Sequence, residues 1–128
     1  MIILAMAAAL LSAQEPDCRD PQDQSSMNIC ADRDFRTADA ELNRVYQRAV
    51  AAARREDATL ERDDPFPRYE PSLRAAQRAW VAFRDAQCIV EGMQDARGGS
   101  MEPMLVSGCM ERMTRERINQ LISAEVRQ

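Results

Sequence analysis

Apolar residues recur with a helical period in three stretches of this chain, separated by polar and proline-rich segments. From about Met27 to about Arg55, the residues Ala31, Phe35, Ala38, Leu42, Tyr46, Ala49 and Ala53 repeat at steps of three and four. That spacing lays a single apolar stripe along a helix. Between Ala49 and Ala53 only Val50 is not alanine, so a partner helix can approach closely there. Ser25 or Ser26 stands where an N-cap is needed. Residues 57–69 break the pattern: Asp63-Asp64-Pro65 and Pro67 cannot continue a helix, and residues before prolines turn to extended geometry. A second helix is predicted from Pro71, a good first-turn residue, to about Val90. Leu73, Ala76, Trp80, Phe83, Gln87 and Val90 follow helical spacing, after which Gly92 and Gly98-Gly99 mark a loop. A third helix runs from about Met101 to about Glu125, capped by Ser100, with Pro103 in its first turn. Leu105 or Val106, Cys109, Met113, Leu121 and Ile122 form its inner face, although Gly108 weakens it. No stretch alternates with the period of a strand. The predicted fold is all-α, a small antiparallel three-helix bundle.

The opening MIILAMAAALLSA carries no charged side chain. Its apolar run, Ile2 to Leu11, suits the core of an export signal and falls short of the roughly 20 residues of a membrane span. Residues 1–13 are therefore read as a signal peptide and residues 14–128 as the domain. The alternative is a buried helix start in a cytosolic protein, and Glu15-Pro16-Asp17 opposes it by breaking the helix at once. Cys18 follows Pro16-Asp17 instead of small residues and does not look like a lipidation site. The expected location is periplasmic or secreted, with no transmembrane segment in the mature chain.

The cysteines extend this picture. Cys18, Cys30, Cys88 and Cys109 all lie beyond the apolar start, and an even number in an exported chain predicts two disulfides. Antiparallel order gathers all four at one end of the bundle, where bridges would close long loops; three pairings remain open. Their intervals of 12, 58 and 21 residues hold no C-x-x-C knuckle, so no metal site is read. Histidine is absent, which removes the commonest general base and metal ligand. With the thiols paired, the inventory reads as a binding protein without a cofactor, not an enzyme. All 17 basic residues are arginine, and the net charge is −4. An acidic surface disfavours nucleic acid and suits a basic partner.

Some polar residues fall on inner stripes. Gln77, Trp80, Arg84 and Cys88 share one face of helix two, and Asp39, Leu42 and Tyr46 share one face of helix one. Asp39 and Arg84 are the predicted ion pair, a structural one that fixes helix register. Asn43 is read as structural too. Met93, Met101, Met104, Met110 and Met113 are read as adaptable core filling. The loop of residues 94–100 (QDARGGS) is the exposed candidate for recognition, with Asp95, Arg97, Ser100 and Glu102 as the contact residues.

Taken in order, Met27-Asn28-Ile29-Cys30, Ala38-Asp39-Ala40-Glu41-Leu42-Asn43 with Tyr46, Gln77-Arg78-Ala79-Trp80, and Phe83-Arg84-Asp85 with Cys88 form a recognisable set. It continues through Gly98-Gly99-Ser100, Pro103-Met104, Cys109 and Thr114 with Arg117 and Leu121. In this the chain resembles the lysozyme-inhibitor LprI N-terminal domain family of exported bacterial proteins. The resemblance implies an all-helical, disulfide-linked domain that inhibits lysozyme-type peptidoglycan hydrolases by occlusion, with a cationic lysozyme or another such hydrolase as partner. The alternative is a structural or stress-related envelope domain that binds other envelope proteins. The resemblance transfers no binding residues, and the oligomeric state stays open.

Overall fold

The computed structural model of the protein describes residues 14–126, so the predicted signal peptide lies outside the described residues. Three helices follow a short lead-in: α1 (Gln24–Asp57), α2 (Tyr69–Ala96) and α3 (Glu102–Val126). They run antiparallel in sequence, and every described element is helical, as the periodicity predicts. α1 and α3 share the largest interface, and α2 packs more lightly across both.

The α1 stripe is the predicted one. Ala38, Leu42, Ala49 and Ala53 are buried, joined by Val45 and Val50. Leu42, Val45 and Ala49 pack on Ile118 and Leu121 of α3, with Tyr46, Leu73 and Trp80 at the margin. Each large aliphatic side chain so buried contributes about 1.5–3 kcal/mol. The cap of α1 is Asp23, not Ser25 or Ser26: its carboxylate accepts the Ser26 N–H at 2.8 Å and the Ser26 hydroxyl at 2.9 Å. These bonds hold the Asp23 carboxyl below its ordinary value.

On α3 the inward residues are Cys109, Thr114, Ile118 and Leu121, whereas Ile122 is exposed. The larger departure is on α2. Its buried residues are Gln77, Arg84, Cys88 and Gly92, while Phe83 and Val90 of the predicted stripe are exposed. The polar face points inward. Gly92 lies inside α2, not in a loop; a Cβ there would meet Val106 Cγ2 at 2.5 Å, so the missing side chain makes room for the close approach of α3. α2 consequently reaches Ala96, six residues past the predicted end at Val90.

The connectors are tied from outside their own sequence. Asp57, the last residue of α1, accepts the Tyr69 N–H at 2.7 Å and the Glu70 N–H at 2.9 Å, and so caps α2 from across the proline-rich segment. Glu70 bridges Arg54 of α1 at 2.7 Å and Arg74 of α2 at 3.0 Å. Its hydrogen bonds to Arg54, then Arg74, hold the carboxyl down at about 2. A depressed folded value means the bridge stabilises the fold in full above the ordinary value of 4.5 and loses that contribution as pH falls through about 2. The melting temperature is expected to fall across that window, and Glu70→Gln should flatten the fall. An unchanged acid limb in the variant would show that other carboxylates carry it.

Candidate functional site: a disulfide-braced pole

Both disulfides form, and both sit at the end of the bundle where α1 begins, α2 ends and α3 begins. Cys18 pairs with Cys30 and Cys88 with Cys109. The pairing is sequential, so the loops span only 12 and 21 residues and are shorter than expected. The first bridge pins the lead-in to α1, helped by an exposed Arg33–Glu15 ion pair at 3.1 Å. The second ties α2 to α3 inside the core, where Cys88 and Cys109 are buried.

The candidate loop leaves this pole. Residues 94–96 belong to the last turn of α2, so the connector proper is Arg97–Met101. Gly98 takes φ 71°, a left-handed geometry that glycine adopts without steric cost. Its N–H donates to the Glu102 carboxylate at 2.6 Å, and the Gly99 N–H donates to the Ala96 carbonyl at 2.7 Å. Asn28 reaches over from α1 and donates its Nδ2 to the Ser100 carbonyl at 2.9 Å, while Gln24 donates to Asn28 Oδ1. Residues from all three helices therefore hold the tip.

The four predicted contact residues do not share one face. Asp95 borders a small cleft of about 230 Å³ between α2 and α3, beside Glu91 and Arg112. Glu102 borders a wider one of about 610 Å³ with Asp32, Phe35 and Met110. Arg97 and Ser100 stand exposed on the tip between the two clefts. Glu102 is spent on the loop itself, through Gly98. Met101 and Met93, expected as core filling, are both exposed, Met101 at the tip, where the Gly98-Gly99-Ser100 sequence beside it signals a turn.

Behind the pole lies a polar seam. Arg84 Nη1 donates to Asp39 Oδ1 at 2.8 Å and to the Thr114 hydroxyl at 3.1 Å, and its Nε donates to Asp85 Oδ1 at 2.9 Å. The guanidinium lies between the rings of Phe35 and Trp80, 5.0 and 5.2 Å from their centroids. Arg117 lies over the other part of this seam, 5.8 Å from the Trp80 ring, and donates to Gln77 Oε1 at 3.0 Å. Burial pushes the Arg117 guanidinium down from its ordinary value. Arg84 Nε and Nη1 and Arg117 Nε thus meet acceptors on all three helices. Asn43 is exposed on α1 and takes no part. Among the described residues no group of histidine, cysteine, aspartate and glutamate side chains could hold a metal ion. No described helix is long and apolar enough to cross a membrane.

The fold and the braced pole define a small helical, disulfide-linked domain. The family model described as lysozyme inhibitor LprI matches residues 18–121, and the chain belongs to that family. It is also 47% identical over 122 residues to an uncharacterized protein of Rhizobium meliloti (strain 1021), a match covering 94% of this chain and 87% of that protein. No solved structure matches the chain.

Proposed function

We propose that this protein is exported to the periplasm or beyond and acts as a binding protein that blocks a lysozyme-type peptidoglycan hydrolase by occlusion. Membership of the lysozyme-inhibitor LprI family carries this reading. The contact surface we assign is the exposed tip, residues 97–101, with Arg97 and Ser100, and Asp95 on the adjoining cleft; Glu102, bonded to the Gly98 N–H, orders the loop. A tip already held by Asn28 and Glu102 loses little freedom on docking, and such preorganisation favours affinity. The net charge of −4 suits a cationic hydrolase and would steer its approach. Asp39 and Arg84 serve the fold in this reading, not the partner.

The test is lysis of a cell-wall suspension by lysozymes of several types in the presence of purified residues 14–128. Inhibition at micromolar protein is expected, with association slowing as salt rises. Asp95→Arg should slow association several-fold while the melting temperature holds, because Asp95 is exposed and carries none of the loop's hydrogen bonds. Absence of inhibition across the panel would move the assignment to an envelope domain that binds other envelope proteins. Inhibition that survives removal of the loop's exposed side chains would keep the activity and discard this surface.

A further inference from the structure

The face of α2 that the bundle does not cover is apolar. Ala75, Ala79, Ala82, Ala86 and Met93 lie within about 40° of a common line at 100° per residue, and all are exposed. Phe83, Ile89 and Val90 flank that line and are 57%, 48% and 43% exposed. Helices of soluble bundles ordinarily turn such a face inward. Here the inward side is taken by Gln77, Arg84 and Cys88, so the outer stripe is left bare for about 27 Å. An apolar strip of this length marks an interaction surface.

Its occupant can be read from two asymmetries along the helix. The N-terminal half of the strip is small, with Ala75, Ala79 and Ala82, and the C-terminal half is bulky, with Phe83, Ile89, Val90 and Met93. The charges on one edge are likewise split. Arg78 has no ion-pair partner among the described residues, and the half-exposed Asp85 uses only Oδ1, on Arg84. A second copy of α2 running antiparallel about a twofold axis at Ala82 satisfies both. Ala75 then lies level with Ile89 of the other copy, while Ala79 and Ala86, and Arg78 and Asp85, come within one residue of level, each twice by symmetry. Small residues at the centre let the two helices approach closely. We infer that the outer face of α2 is a self-complementary homodimer interface, centred on Ala82 and independent of the pole assigned to the hydrolase.

A surface of one helix pair belongs to the weaker class of interfaces, so the dimer is expected to dissociate in the micromolar range. Sedimentation velocity on purified residues 14–128 should show a monomer–dimer equilibrium with that midpoint. Ala82→Glu sets two carboxylates against each other at the axis, and Arg78→Glu faces Asp85 of the other copy; each should raise the dissociation constant at least about tenfold. Both positions are exposed, so the melting temperature at dilute protein should hold. Ala82→Cys should give an oxidised, covalently linked dimer, and Ala75→Cys should not, because position 75 faces position 89. A monomer at near-millimolar protein overturns the inference. So does a dimer that survives Ala82→Glu, or a monomer whose hydrolase inhibition is lost in that variant; the last result would assign the face to the hydrolase.

Discussion

Cys88→Ala/Cys109→Ala is expected to lower the stability of the domain by about 3 kcal/mol, the chain-entropy value for a loop of this size. The bridge closes 21 residues that include the whole turn from α2 into α3. It is buried, and it holds the most lightly packed helix to the core. The loss should appear as a lower urea midpoint in the variant. Cys18→Ala/Cys30→Ala provides the contrast. Its loop of 12 residues would give nearly as much by chain entropy. But the segment it tethers touches the bundle through exposed contacts such as Arg33–Glu15, and when released it gains freedom in the folded state too. A loss under about 1 kcal/mol is expected there. Equal losses in the two variants would show that the lead-in packs as an integral part of the fold. Because both bridges are formed, alkylation of the unreduced protein followed by intact mass should find no free thiol among the four.

Arg84→Ala is expected to cost about 3 kcal/mol, comparable to breaking a buried ion pair by removing one partner. The Arg84 side chain is only 6% exposed. Its removal strands the fully buried Thr114 hydroxyl and opens a gap between Phe35 and Trp80. Asp39 is 37% exposed and can recover water, so Asp39→Asn should cost only about 1 kcal/mol. Arg84→Lys should rescue little, since an ammonium cannot reach Asp39, Asp85 and Thr114 at once or fill the space between two rings. Denaturant melts of the three variants, beside the lysis assay, separate structural from binding roles. If Arg84→Ala left the melt unchanged while abolishing inhibition, the seam would belong to the partner site.

Much of the fold was legible in the chain because it depends on local order. The three-and-four spacing from Ala31 to Ala53 forces a one-sided apolar helix wherever that segment ends up. Pro65 and Pro67 stop a helix in any context. Helix number, all-α class and the gathering of four cysteines at one end follow from these and from antiparallel order. The residues that carried the family resemblance include Arg84, Asp39, Trp80, Thr114 and Arg117, which the structure joins in one seam. The ends of α2 were less legible, since residues far along the chain hold them: Asp57 at its start, and Asn28 at the tip beyond its end.

The sequence offered two inner stripes for α2, one through Phe83 and Val90 and one through Gln77, Arg84 and Cys88, and only the tertiary structure chose the second, with the predicted Asp39–Arg84 pair in it. Hydropathy ranks Phe83, Val90 and their neighbours above Gln77 and Arg84, and by that measure the helix should be turned the other way. A buried guanidinium is costly alone and acceptable once Asp39, Thr114, Phe35 and Trp80 surround it. Three of those four partners sit on other helices, so the balance cannot be computed from α2 itself. The same holds for Gly92, whose missing side chain matters only against Val106. It holds as well for the disulfides, where even parity allowed three pairings. The approach of α2 to α3, and of the lead-in to α1, selected the one that formed.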